Sequence, residues 1–377
     1  MLGFPQGRYT ISERVVIPDR PTFDLFVKHV SQKPGMERYL ESVHELVVRD
    51  STDKPYGYLV QYVFVGHMTH LKCLGFNGLR WRESPPTPTF HPFLSEFKNL
   101  TVLALWDCTF TNLGELQRLI LSSRSLVELN IGRLTLHTPA RGARYASLPK
   151  ASPTLKIVRL TEICNDVFIN LSQWMAQVIS QSVETYEFHP PPDPTADWRP
   201  SAENVLKALG GSLKNLIIPA VDQPVNGFSL AHNVNLESLT ISVDYLGKQS
   251  PWITIANTLL SITGPPLINS LRLQLWCIDG NINGLPWDRL DYTGMTALQE
   301  ILEREDFKGL TEVMALIAVP EHLQIRLETV LEEIEHHIPR LTRRGILKLE
   351  VVPILSATQG DEQLRISTLP WPWCPPS

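Results

Sequence analysis

Apolar residues recur along the chain in short bursts with one spacing, apolar-x-x-apolar-x-apolar. In "FKNLTVLALWDCTF", residues 97 to 110, the burst is Leu100, Leu103 and Leu105. Others begin at Val43, Leu71, Leu126, Leu155, Val183, Leu213, Leu236 and Ile268, with a degenerate copy at Leu310. Steps between successive starts are 28, 29, 26, 29, 28, 30, 23, 32 and 42. Apolar residues at alternate positions line one face of a strand, so each burst predicts a short strand with a buried side. The near-constant step over the first seven units predicts one supersecondary unit used repeatedly.

The intervals predict helices. "NLGELQRLILSS" sets Leu113, Leu116, Leu119 and Ile120 on one helical face, with Asn112 as N-cap. "DVFINLSQWMAQVIS" does the same with Val167, Leu171, Trp174, Met175 and Val178. "SAENVLKALGG" offers Ser201 as a cap, Val205, Leu206 and Leu209 as its face, and Gly210 and Gly211 as a stop. Strands separated by helical crossovers run parallel. The expected fold is therefore α/β: a leucine-rich-repeat-like solenoid, with a curved parallel sheet on the concave side and helices on the convex side. One unit would bury about five apolar side chains at roughly 2 kcal/mol each. Ordering about 28 backbones costs about 1 kcal/mol or more apiece, so a single unit should not fold alone.

Such an array needs capped ends. Residues 1–42 are expected to form an N-terminal cap, a strand at Arg14 to Ile17 and a helix with Phe23, Phe26, Val27 and Val30 inward. Residues 43–320 are expected to form the solenoid, with about ten irregular repeats. Residues 321–355 are expected to supply a capping helix, through Leu323, Leu327, Val330, Leu331, Ile334 and Ile338, and the strand "GILKLEVVP". The tail, 356–377, is Pro-rich and is expected to be flexible.

Composition narrows the classes. With 377 residues, 43% hydrophobic and 19% charged, the chain lies outside the disordered range. Its net charge of -5 gives no overall positive field for nucleic acid or anionic lipid, so neither is expected as a partner. The one dense basic cluster, Arg340, Arg343, Arg344 and Lys348, reads as a solvated edge. No run of about 18 apolar residues occurs, so no membrane span is predicted. "MLGFPQGRYTISERVV" lacks the charged and apolar regions of a secretory signal. The five cysteines form no C-x-x-C pair and read as reduced thiols, which fits a cytoplasmic or nuclear protein. Ten of the 30 prolines cluster at 84–92, 189–194 and 263–267, stretches that read as linkers. Pro85 and Pro88 could serve as a P-x-x-P ligand, but a plain linker is the simpler reading.

No nucleotide, hydrolase or zinc-protease motif is present, and no cofactor or metal is expected. His67 and His70 read as loop residues, and Glu332, Glu333, His336 and His337 as the polar side of a helix. Candidate function falls instead on the concave strand face, made of alternate strand residues pointing away from the core. Glu45, Arg49, Asn77, Trp106, Glu128, Asn130, Arg159, Glu187, His189, Arg272 and Gln274 are the candidates there for binding a protein partner. Trp106 is the residue type that anchors interfaces, although packing under a neighbouring loop is the plainer reading. The alternative is a hydrolase or transferase built on Asp279, Asp288 and Asp291 in the irregular segment 276–300, where turn and cap roles compete.

"RVVIPDRPTFDLFVKHV", "FKNLTVLALWDCTF", "LPWDRLDYTGMTALQEILEREDFKGLTEV" and "IPRLTRRGILKLEVV" together resemble the leucine-rich-repeat region of the F-box-like proteins of mushroom-forming fungi, over residues 14 to 352. That resemblance implies a non-catalytic scaffold like the substrate-recognition part of a ubiquitin-ligase receptor. In that family an F-box module docks on a Skp-type adaptor. The residues before Arg14 contain no such module, which leaves adaptor binding open.

Overall fold

Each burst is a strand. The structure is a computed structural model that describes residues 13–32, 37–50, 53–80, 94–138, 154–178, 181–189, 198–219, 229–244, 250–262, 268–276, 294–320, 332 and 334–354. The chain divides into two compact units, Met1–Leu171 with Pro191–Ala196 and Ser172–Pro190 with Asp197–Ser377.

The first unit contains β1 (Arg14–Ile17), β2 (Glu45–Arg49), β3 (Cys73–Asn77), β4 (Val102–Trp106), β5 (Thr109–Phe110), β6 (Glu128–Gly132), β7 (Thr135–Leu136) and β8 (Ile157–Thr161). Strands β1, β2, β3, β4, β6 and β8 pair in that order, all parallel. Strands β5 and β7 form a second, two-stranded parallel sheet. The second unit contains β9 (Thr185–Phe188), β10 (Asn215–Pro219), β11 (Ser238–Asp244), β12 (Ser270–Trp276), β13 (Glu312–Pro320) and β14 (Leu347–Ile354), again parallel and in chain order. The helices are α1 (Arg20–Gln32), α2 (Glu37–Glu41), α3 (Val60–Phe64), α4 (Leu113–Ser122), α5 (Asn165–Val178), α6 (Arg199–Leu209), α7 (Pro251–Ser261), α8 (Met295–Leu302) and α9 (Pro339–Arg343). The fold is α/β with parallel strands.

Register explains the periodic bursts. Leu46, Leu74, Leu103, Leu129 and Val158 are lateral neighbours, and each is fully buried. In the second unit Tyr186, Leu216, Leu239, Leu271 and Val313 form the equivalent row. The degenerate copy beginning at Leu310 therefore takes its place despite the 42-residue step, because pairing fixes the strand and leaves the connecting chain length free.

The same backbone device starts strand after strand. A single carbonyl accepts from two consecutive amides of the next strand: His44 O from Lys72 and Cys73, Lys72 O from Thr101 and Val102, Thr101 O from Val127 and Glu128. Glu184, Lys214, Glu237 and Asn269 repeat it in the second unit. At the carboxyl ends of β3, β4, β6 and β8 the chain turns through left-handed residues, Gly78, Asp107, Arg133 and Glu162, with φ of 80°, 52°, 47° and 51°. The last three carry a Cβ into a conformation that L-residues avoid. Their amides or those of their equivalents bond across to the next strand, as in Gly78 N to Trp106 O at 2.9 Å and Asp107 N to Gly132 O at 3.0 Å.

The connecting segments are less regular than the strands. Asn112 caps α4 as expected, its Oδ1 accepting from Glu115 N at 3.1 Å. In α6, however, Ser201 is not the cap: the helix begins at Arg199 with Trp198 before it, and Ser201 lies inside and buried. Pro200 accounts for the earlier start, since its fixed φ and missing donor suit a first helical turn. Gly210 closes that helix at φ 48°. Between β3 and β4 the described residues form only a 3-10 turn, Leu94–Glu96, with Leu94, Phe97 and Leu100 buried beneath it. Three apolar side chains from a turn fill the layer that a helix fills elsewhere.

The strand and helix expected near the N-terminus are β1 and α1, with Phe23 buried and Phe26 and Val27 half-buried. Tyr56 ties it down: the hydroxyl lies 2.9 Å from Ile17 O and 2.6 Å from Arg49 O. Ile334 and Ile338 are buried. The prolines of 84–92, 190–194 and 263–267, Pro85 and Pro88 among them, the tail 356–377, Glu333 and the segment 321–331 lie outside the described residues. No helix among the described residues is long and apolar enough to cross a membrane.

Candidate functional site

Strand residues alternate between two faces, and the buried leucines occupy one of them. On the other face of the first unit the register sets out three rows. The first is Arg14, Glu45, Cys73, Val102, Glu128 and Ile157. The second is Val16, Val47, Gly75, Ala104, Asn130 and Arg159. The third, at the carboxyl ends, is Arg49, Asn77, Trp106, Gly132 and Thr161.

The middle of this face is close-packed. Val47, Ala104, Glu128 and Asn130 are buried, although nothing in their sequence context distinguishes them from solvated strand positions. Strands lie about 4.8 Å apart, so lateral side chains cover one another. Glu128, Asn130 and Arg159, three of the candidates, form one network. Asn130 Nδ2 donates to Glu128 Oε1 at 3.0 Å, Arg159 Nη1 donates to the same oxygen, and it also reaches Asn130 Oδ1 at 3.3 Å. Glu45 is paired with Arg14, 3.1 Å away, a partner the sequence reading did not single out.

In the third row Thr161 Oγ1 donates to Ile131 O at 3.5 Å, whereas the side chains of Arg49, Asn77 and Trp106 have no hydrogen bond among the described residues. Trp106 does not stand free: its ring lies over Gly132, where an added Cβ would be 2.1 Å from Cε3 and Cζ3. Trp106 Nε1 and Arg49 Nε are both buried without a hydrogen-bond partner among the described residues. Just beyond the row, Asp107 sits between two cations, with Arg133 at 3.6 Å and Arg80 at 3.9 Å, while Arg80 also donates to Thr109 Oγ1 at 2.6 Å. Nearby Cys108 is buried, its Sγ 3.3 Å from Trp106 O, and burial pushes its thiol up to about 12. That cysteine is a structural hydrophobe.

In the second unit Glu187 and His189 are brought together, Oε1 to Nε2 at 3.1 Å. Arg272 is exposed and Gln274 half-buried on the same strand, two residues apart. Lys348 reaches Glu312 Oε1 at 2.7 Å, and this hydrogen bond, with the lysine's charge, holds the Glu312 carboxyl below its ordinary value. Neither residue was among the candidates. What could have found them, along with Arg14, is distance along the chain: lateral partners are separated by about one step of the repeat.

His67 is exposed, and His70 Nδ1 lies 2.7 Å from Glu41 O. His336 and His337 meet edge to face, with ring centroids 5.6 Å apart. Among the described residues no three His, Cys, Asp or Glu side chains are placed to hold a metal ion. Asp279, Asp288 and Asp291 lie outside the described residues. The described face of the first unit carries amide and guanidinium donors, shielded carboxylates and an indole held over Gly132.

No protein-family model matches the chain, and no curated protein matches it.

Proposed function

We propose that the chain is a leucine-rich-repeat-like solenoid, its second strand face concave and its helices convex, acting as a non-catalytic protein-binding scaffold. Its role is that of the substrate-recognition part of an F-box-type ubiquitin-ligase receptor, working in the cytoplasm or nucleus. The observation that carries this reading is lateral register: residues about 28 positions apart become neighbours, and one face gathers polar and aromatic side chains from many strands. Such a face recognises by shape and scattered hot spots. Docking on a Skp-type adaptor would need a module besides these strands.

The test is affinity purification with mass spectrometry, followed by binding measurements on the partner found. Ile157→Arg and Ile217→Arg place a charge on half-buried positions of the second face in the two units. Loss of the partner with thermal stability kept is the expected result. A partner held equally by both variants and by charge substitutions on the helical side would overturn the reading.

A further inference from the structure

On the second face of the first unit each carboxylate of the strands already has a cation. Glu45 is held by Arg14, and Glu128 by Arg159. Just past the strand ends, Asp107 has Arg80 and Arg133 nearby. Arg49 is the exception in the opposite sense, a half-buried cation that forms no ion pair among the described residues, with its Nε sealed from water and unbonded. A buried donor without an acceptor, on a charged group, is a cost the fold carries.

Its neighbours in the row complete a pattern. Asn77, directly beside Arg49, has a half-buried amide with no hydrogen bond to another described residue. Trp106 comes next, its ring pinned over Gly132. The row therefore presents a cation, an amide and a flat apolar ring in sequence across three strands.

We infer that this row, Arg49–Asn77–Trp106, is the docking point for an acidic segment of the protein partner, with an Asp or Glu side chain on Arg49 and Asn77 and an apolar side chain on Trp106. The inference rests on the proposed scaffold role and adds the chemistry of what is bound. Charge complementarity selects the occupant: the unpaired group is cationic, and a carboxylate accepts from a guanidinium and an amide together. Spacing refines it. Two strand spacings separate Arg49 from Trp106, about 10 Å, and an extended peptide advances about 3.3 Å per residue, so acid and apolar residue stand about three positions apart. Arg and Trp are, with Tyr, enriched among the residues that dominate interface energetics.

The test uses the full chain and a pool of N-acetylated, C-amidated peptides with Asp or Glu fixed three positions before Leu, Phe or Trp, random elsewhere. Binding is read by calorimetry on the selected peptide. Replacing its acid by the amide, or Arg49 by Gln (Arg49→Gln), is expected to weaken binding about tenfold or more. Gly132→Ala, which displaces the ring, is expected to weaken the same peptide while leaving an all-polar acidic control unchanged. No selected peptide at millimolar concentration, equal affinity for the amide peptide, or affinity regained by the amide peptide once its C-terminus is left as a free carboxylate would each overturn the inference. A partner lost with Ile157→Arg but indifferent to Arg49→Gln would refute this row and leave the scaffold reading standing.

Discussion

Gly132→Ala offers the sharpest test of how the third row is built. A methyl group at this position would sit 2.1 Å from Cε3 and Cζ3 of Trp106 and 2.8 Å from Cη2. Carbon atoms settle about 3.5 Å apart, so the ring must withdraw by about 1.4 Å. Forced repacking of this kind costs about 1–3 kcal/mol. Replacing glycine also restricts the unfolded chain, which returns about 0.4–1 kcal/mol. The net expectation is a destabilisation of about 1–2 kcal/mol. For a unit of this size each kcal/mol lowers the midpoint by about 2–4 °C, so the drop should be about 2–8 °C. Removing the ring first changes the sign: in a Trp106→Ala background the same Gly132→Ala should be neutral or slightly stabilising. A double-mutant cycle by urea or thermal unfolding reads the coupling directly. An equal cost in both backgrounds would show that the indole does not occupy the space over Gly132, and the three-residue docking row would lose its apolar end.

Other expectations follow from single contacts. Tyr56→Phe removes the hydroxyl that reaches Ile17 O and Arg49 O and should cost about 1–3 kcal/mol in denaturant unfolding, with no change in slope. Cys164 is exposed, whereas Cys108 is buried with its thiol raised to about 12, so iodoacetamide at mildly alkaline pH should label Cys164 and spare Cys108 until the protein unfolds, as read by peptide mapping. Glu312 has a folded value below its ordinary 4.5, so its contribution is present above 4.5 and is lost as pH falls through the folded value. Lys348→Met should therefore flatten the acid limb of the stability profile of the second unit, and an unchanged profile would refute the pairing.

The strands were legible because two independent signals coincide in them. Alternation marks each burst, and the step between bursts marks their common role, so Leu46, Leu74, Leu103 and Leu129 could be expected side by side before any geometry was known. Segments between strands were harder to read. A helix such as α4 announces itself through its cap and its spacing, but the 3-10 turn at Leu94–Glu96, with Leu94, Phe97 and Leu100 buried, is too short to show a helical pattern. Only the apolar volume is constrained there, and different local conformations supply it.

The second face was legible in membership and not in chemistry, for a related reason. Alternation identifies which residues share a face, yet whether Glu128 is a solvated acid or a buried partner depends on Arg159, which lies 31 positions further along. Arg80 and Thr109 are 29 apart, Asn99 and Thr69 30, Lys214 and Glu184 30. Lateral contacts therefore operate at the period of the repeat. A charge on such a face can be judged only against residues one period before and one period after it. By that rule Arg14 and Glu45 form a pair, and Arg49, whose lateral neighbour Asn77 is neutral, has no ion pair among the described residues. The pairing and the vacancy have a single cause, the parallel register that places each strand beside the next copy of itself.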